Sequence, residues 1–335
     1  MTTILVTGGE GYVGSQCAIA LMDAGYDVAV FDNRSTGSER ICDTLSAARS
    51  DGSFLGTLHG DLLDPADVDS AFRRWEIEAV IHLAGFSQVT ESVSDPSKYY
   101  RNNVIGAMNL LESMRFHDVD KIVFSSSAAI YGKPRYLPID ESHPQEPINP
   151  YGRTKLHIEH MMDDYGRAYG LRSVSLRYFN VAGADSQCRV GECHDPETHL
   201  IPNILTSTFD GGKVFRVFGT DYETRDGTCV RDYVNVEDLA DAHVLALKYL
   251  ENGGSTDFFN LGTNEGSSVK EVLAACERIT GRTIPLKVED RRPGDPASLV
   301  ADNRKAKAML GWDPVRTLDD SIRTACAWEK KKRKL

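Results

Sequence analysis

The chain has 335 residues, with 38 lysines and arginines against 49 aspartates and glutamates, for a formal net charge of −11. That length suits one large domain or two fused lobes, and a 41% hydrophobic share is enough to bury a sizeable core. An acidic balance argues against a nucleic-acid partner, which needs a basic face, and no run approaches the ~18 apolar residues of a membrane span.

Residues 1–6 carry no basic leader and run straight into an apolar stretch, so no signal peptide is expected. Apolar, β-branched runs end near Thr7, Asp32, Leu83 and Ser125. Amphipathic stretches between them predict helices over 16–24, 65–75 and 96–117, and a further helix over 150–169 leads into a strand at 173–178. Nearly continuous apolar strands separated by helices signal a parallel sheet covered on both faces. Residues 1–180 therefore read as a Rossmann-type, doubly wound α/β domain.

After Asn180 the texture changes. Residues 181–230 are rich in Gly, Asp, Thr and Pro, which suits binding loops, and 181–335 are expected to form a smaller mixed α/β substrate lobe, with some later segments returning to the first domain. Two later helices are predicted, over 236–250 and from Ser268-Val269-Lys270-Glu271, a capping-box pattern. The basic run 330–334 reads as a frayed, solvated helix end that suits the helix dipole. The seven cysteines are scattered and odd in number, as expected of reduced thiols in a cytoplasmic protein. Cys188, Cys193 and His194 lack the second close pair of a structural zinc site, so no metal is expected.

Thr7-Gly8-Gly9-Glu10-Gly11-Tyr12-Val13-Gly14 follows the first strand and opens the first helix. Glycines there permit a tight turn, close backbone approach to a pyrophosphate and close helix packing. A lone glycine triplet is also an ordinary strand-to-helix turn. Its position at the first strand and the Asp32 carboxylate, 24 residues after Gly8, favour a dinucleotide. Asp32 would accept from ribose hydroxyls and repel a 2′-phosphate, which favours NAD over NADP, although Arg34 stands nearby.

Tyr151 and Lys155 lie four residues apart at the start of a helix and so share a face, with Pro150 in the first turn. Such a pair is common by chance; here it follows a dinucleotide fold and a polar strand end, Ser125-Ser126-Ser127. A phenol is a poor base near neutrality, and a Lys ammonium with a cationic nicotinamide is expected to lower its pKa. A Ser127 hydroxyl would bond the substrate oxygen and relay the proton.

These motifs, with Gly60-Asp61-Leu62 and Tyr131-Gly132, resemble the extended short-chain dehydrogenase/reductases. The later segments 176–180, 230–233, 259–262 and 291–295 are similar to those of the UDP-glucose 4-epimerase family, and the resemblance runs from about Ile4 to Trp328. It implies NAD held at Gly8, Gly11, Tyr12, Val13 and Gly14, at Asp32, Asn33, Asp61 and Leu62, at Leu83, Ala84, Gly85, Phe86 and Asn102, and at Ser125, Tyr151, Lys155 and Phe179. It implies a UDP-sugar held by Asn180, Leu200, Val217, Phe218, Arg231, Arg292 and Asp295, with Ser127 and Tyr151 at the sugar, and catalysis by Ser127, Tyr151 and Lys155. The implied reaction is transient NAD-dependent oxidation at C4, interconverting UDP-galactose and UDP-glucose. In this family the helices over 96–117 and 150–169 form a four-helix homodimer interface; Val104, Met108, Leu111, Met114, Ile158, Met161 and Met162 agree, although core packing accounts for them equally.

Two positions depart from the best-known family pattern. Ser87 stands where a phosphate-binding Lys is common, and Leu299 stands where a bulky Tyr limits the sugar pocket, which leaves N-acetylhexosamine and pentose substrates open. A related dehydratase would need an Asp-Glu pair where Ala128 and Ala129 stand. A non-catalytic NAD-binding regulator would have little reason to keep Ser127, Tyr151 and Lys155 together.

Overall fold

The computed structural model describes residues 2–37, 39–48, 51–210, 214–292 and 295–334. In chain order the strands are β1 (Thr3–Thr7), β2 (Asp27–Asp32), β3 (Phe54–His59), β4 (Ile77–His82), β5 (Lys121–Ser127), β6 (Arg172–Tyr178), β7 (Asn180–Ala182), β8 (Phe215–Phe218), β9 (Val230–Asn235), β10 (Asp257–Leu261), β11 (Gly266–Ser268), β12 (Leu286–Glu289) and β13 (Ser298–Leu299). Helices separate successive strands as far as β6. The helices are α1 (Tyr12–Asp23), α2 (Glu39–Ala48), α3 (Pro65–Arg74), α4 (Val89–Ser94), α5 (Pro96–Tyr99), α6 (Gly106–Phe116), α7 (Pro150–Tyr169), α8 (Leu200–Phe209), α9 (Val236–Glu251), α10 (Val269–Thr280), α11 (Arg304–Leu310) and α12 (Leu318–Arg333).

Seven parallel strands form the main sheet in the order β10-β6-β5-β4-β1-β2-β3. Successive side chains on a strand face opposite ways. Ile4 and Val6 of β1 join one core with Ile19 and Met22 of α1 and Leu239 and Leu247 of α9. Leu5 joins the other, with Phe72 of α3, Leu111 and Met114 of α6 and Ile158 and Met162 of α7. The winding reverses between β1 and β4, and the crevice at the carboxyl ends of those strands is where such sheets bind ligands.

Two strands of this sheet escape the pattern read from sequence. β3 lies at one edge and is half-buried along most of its length, so its Phe-Leu-Gly-Thr-Leu-His carries no continuous apolar run. β10 lies at the other edge and brings the chain back to the large sheet long after residue 180. The expected helix over 96–117 is divided into α5, a π-helical turn at Tyr100–Ile105 and α6.

The smaller lobe carries β9 flanked by β7, β11 and β13, together with the β8–β12 pair. Ile201 and Leu205 of α8, Val272 and Cys276 of α10 and Ile322 of α12 share its core. The Ser268–Glu271 capping box is present, and a second one, Thr317–Asp320, opens α12. The basic C-terminal run is docked rather than frayed. Lys331 Nζ donates to the Cys188 carbonyl at 2.7 Å, and Arg333 pairs with Glu329 at 2.6 Å and with Asp210. The side chains reach back because α12 lies against the lobe, while its cationic last turn still suits the helix dipole. Among the described residues, no helix is long and apolar enough to cross a membrane.

Candidate active site

A cavity of about 780 Å³ opens at the carboxyl ends of β1 and β4 and runs into the smaller lobe. Its floor is the glycine turn. Gly8 takes φ +73°, and a Cβ there would come within 2.7 Å of the Ala84 nitrogen, while a Cβ on Gly14 would collide with the Gly8 carbonyl. α1 starts at Gly11 with no side-chain cap and no acidic residue in its first turn, so its free N–H groups face the cavity as an anion cradle. The cradle fits a pyrophosphate.

Asp32 closes β2 at one end of the cavity. Its carboxylate accepts from the Glu10 amide at 2.9 Å and the Arg34 amide at 2.7 Å, and burial raises its pKa. The Arg34 guanidinium is turned onto Glu10 at 2.7 Å, an ion pair that engages the cation otherwise suited to a 2′-phosphate. Asn33 donates to Asp61 at 3.2 Å, which ties the ends of β2 and β3 together. Leu62, Leu83, Ala84, Gly85, Phe86, Asn102, Ser125 and Phe179 line the same cavity with Tyr12 and Val13.

The catalytic candidates meet on one wall. Asn149 caps α7 by accepting from the Gly152 amide at 2.8 Å, and Pro150 occupies the first turn. Gly152 lets α7 pack closely on the 3₁₀ turn Ala128–Tyr131, since a Cβ there would sit 2.5 Å from the Ala129 carbonyl. That contact brings Tyr151 to Ser127, whose hydroxyl also accepts from the Ala129 amide at 3.1 Å. Lys155, 4% exposed, donates to the Ser125 carbonyl at 2.7 Å, and its Nζ lies 5.9 Å from the Tyr151 ring centre.

Without the cofactor cation, burial sets the electrostatics of the pair. Burial pushes the Tyr151 phenol up, opposed by its hydrogen bond with Ser127. Burial also lowers Lys155 to about 8, opposed by Glu159. The Lys155 ammonium is anchored on the Ser125 carbonyl, and the opposing influence on the phenol comes from Ser127.

At the far end Arg231 is held by Asp295 at 2.5 Å, and Arg292 stacks 4.0 Å over the Phe218 ring. Both guanidiniums line the cavity with Asn180, Leu200 and Asp295, a pairing that suits bidentate recognition of phosphate. Val217 and Phe218 do not line it. Val217 of β8 is buried in the lobe core because alternate residues of that strand face inward, and Phe218 acts from beneath Arg292. Pro293 and Gly294, part of the motif that suggested Arg292 and Asp295, lie outside the described residues.

Comparison with known proteins fits this geometry. Residues 5–325 match the family model described as GDP-mannose 4,6 dehydratase. A UDP-glucose 4-epimerase of Halalkalibacterium halodurans is 48% identical over 328 residues, covering 98% of this chain and 95% of that protein. The crystal structure of UDP-glucose 4-epimerase from Brucella ovis in complex with NAD has a TM-score of 0.92 at 47% identity, covering 98% of both chains. The chain belongs to the UDP-glucose 4-epimerase family. A further epimerase structure, from Bifidobacterium longum in complex with NAD+ and UDP, has a TM-score of 0.93 at 38% identity, covering 99% of both chains.

Membership in the epimerase family agrees with the loop after β5. Ala128 and Ala129 line the cavity where elimination would need an acid and a base. Ser87 and Leu299, the two departures from the epimerase pattern, line it as well.

Several supporting groups carry no motif of their own. Asn103, not Asn102, clamps the loop after β4: it binds the Phe86 amide at 2.9 Å and carbonyl at 3.0 Å, and donates to Thr154 of α7 at 3.2 Å. Two adjacent asparagines offer no signal for which turns inward; the π-helical turn decides it. His194 and His199 also line the cavity, beyond the glycine turn.

Proposed function

We propose that the protein interconverts UDP-galactose and UDP-glucose by transient oxidation of the sugar at C4, using NAD held at the glycine turn. One observation carries the reading. Ser127, Tyr151 and Lys155 stand on one wall of a cavity with an uncapped helix start and Asp32 at one end and two arginines at the other. NAD+, when bound, accepts the C4 hydrogen with its electron pair and returns it.

The residues do the rest. Gly8, Gly11 and Gly14 give the pyrophosphate its cradle, Asp32 and Asn33 receive the ribose, and Lys155 reaches the second ribose. Tyr151 takes the proton of the sugar 4-hydroxyl, while Ser127 bonds the same oxygen. Arg231 and Arg292 hold the diphosphate. With the binding energy on the nucleotide handle, the 4-keto sugar turns about its tether and presents its other face. Tyr151 then gives the proton back.

The unpaired cysteines fit a cytoplasmic setting. A homodimer through α6 and α7 is also part of the reading. Leu111, Met114, Ile158 and Met162 are used up in the core, but Met108 is 51% exposed, and Ile105 before it is 47% exposed. Those two remain available to a second copy.

The test is incubation of purified protein with UDP-galactose and no added nicotinamide, followed by separation of the sugars. UDP-glucose is expected. No conversion, even with NAD supplied, overturns the reading. Parallel arms with UDP-N-acetylgalactosamine and UDP-xylose set the range that Leu299 permits.

A further inference from the structure

The loop between β7 and α8 carries two Glu-x-His pairs, Glu192-Cys193-His194 and Glu197-Thr198-His199. The fold brings all four side chains to one point. One ligand atom from each, two imidazole nitrogens and two carboxylate oxygens, lies within 4.8 Å of every other. His194 Nδ1 is 3.1 Å from Glu192 Oε1 and 3.9 Å from Glu197 Oε1, and His199 Nδ1 closes on the same Glu192 oxygen. We propose that these four residues bind a divalent transition-metal ion, with zinc the best match to the donor set.

Two arguments support the assignment. First, the charge suits a cation. The Glu192 and Glu197 side chains are 5% and 16% exposed, and among the described residues their ion pairs run to these two histidines and to no lysine or arginine. A buried carboxylate beside a half-buried one draws cationic charge; protonated histidines supply it, and a dication held by all four groups supplies it with the imidazoles neutral. Two nitrogen and two oxygen donors suit zinc, and four protein ligands close a tetrahedral shell in the manner of a structural site.

Second, the donors are held in place from behind. The Trp328 indole donates to the Glu192 carbonyl at 2.8 Å. Asn203 of α8 donates to the Glu197 carbonyl at 3.1 Å and to the His199 carbonyl at 2.9 Å. The thiols of Cys188 and Cys193 are not part of the group. An ion here would fasten the loop beside the glycine turn, where the Tyr12 ring meets His194 edge-on and its hydroxyl donates to the Gly183 carbonyl at 2.6 Å.

The experiment uses the tag-free full-length chain, stripped with a chelator and loaded with zinc, cobalt(II) or magnesium. After gel filtration, metal analysis is expected to find one zinc per chain and no magnesium. Cobalt is expected to give the visible d–d bands of a tetrahedral site without thiolate charge-transfer absorption. His194→Ala with His199→Ala should weaken zinc binding on the order of 100-fold or more, judged against outer-sphere losses of 10–100-fold. Cys188→Ser with Cys193→Ser should leave it unchanged. A wild-type chain that retains no zinc overturns the proposal, and so does zinc binding that survives in the histidine variant. Thiolate absorption with cobalt overturns it too, a readout on the wild-type chain that holds even if the histidine variant fails to fold.

Discussion

Arg177 of β6 forks onto Glu159 of α7, with contacts of 2.5 Å from Nη2 to Oε2 and 3.0 Å from Nε to Oε1. Ser126 adds a bond of 2.5 Å to the same carboxylate, and Tyr131 one of 3.0 Å to the guanidinium. Glu159 stands four residues beyond Lys155, and this buried network fixes α7 to the sheet.

Breaking that pair leaves a buried charge without its partner. Glu159→Leu is expected to destabilise the protein by about 3–5 kcal/mol, and Glu159→Leu with Arg177→Met by clearly less. Urea denaturation of the two variants checks this. Equal losses would contradict the account.

Lys155 makes stability depend on pH. In the folded protein its pKa is lowered by burial from 10.5 to about 8. Between those values the unfolded chain holds more protons than the folded one, so stability from this group rises with pH across that window and is flat below it. Relative to Lys155→Met, the wild type should gain on the order of 3 kcal/mol between pH 7.5 and pH 10.5. Unfolding free energies of both proteins across that range give the difference directly, and a flat difference contradicts the shift.

Tyr151→Phe keeps the ring packing and removes the proton acceptor. A positioned acid–base group contributes roughly 10²–10⁴-fold, so kcat is expected to fall by that factor while NAD stays bound. Steady-state turnover of UDP-galactose, with cofactor content measured on the same sample, separates the two effects. Unchanged kcat would remove Tyr151 from the reaction.

In the proposed function Arg231 grips the nucleotide, not the reacting carbon. Arg231→Ala loses a charge-assisted bond worth about 1.5–3 kcal/mol, a rise in KM of roughly 10- to 100-fold with a smaller change in kcat. Initial rates over a range of UDP-galactose concentrations test it. A fall in kcat alone would place Arg231 elsewhere in the cycle.

What is legible in the sequence is what is local. The glycine turn, Asp32, Ser127 and the Tyr151–Lys155 pair stand in short contiguous motifs whose conformation is set by their neighbours, so residue spacing alone points to them. Edge strands are harder to read. β3 lacks the two-sided burial that writes a continuous apolar run, while β10, buried over its last three residues, is hard to place because it rejoins the sheet long after β6. Val217 and Phe218 stand in no short motif; Val217 turns into the lobe core, and Phe218 on the opposite face of β8 lies beneath Arg292. In the loop after β7 the cysteines draw attention, while the Glu-x-His pairs that converge pass unnoticed, since convergence depends on how the loop folds back toward α8.

On this mechanism a hydrogen leaves C4 and returns to the same carbon without meeting solvent. UDP-galactose deuterated at C4, incubated with the protein in ordinary water and without added nicotinamide, tests that most directly. The mechanism predicts UDP-glucose that keeps deuterium at C4. UDP-glucose with deuterium lost to water would contradict it, as would no UDP-glucose at all.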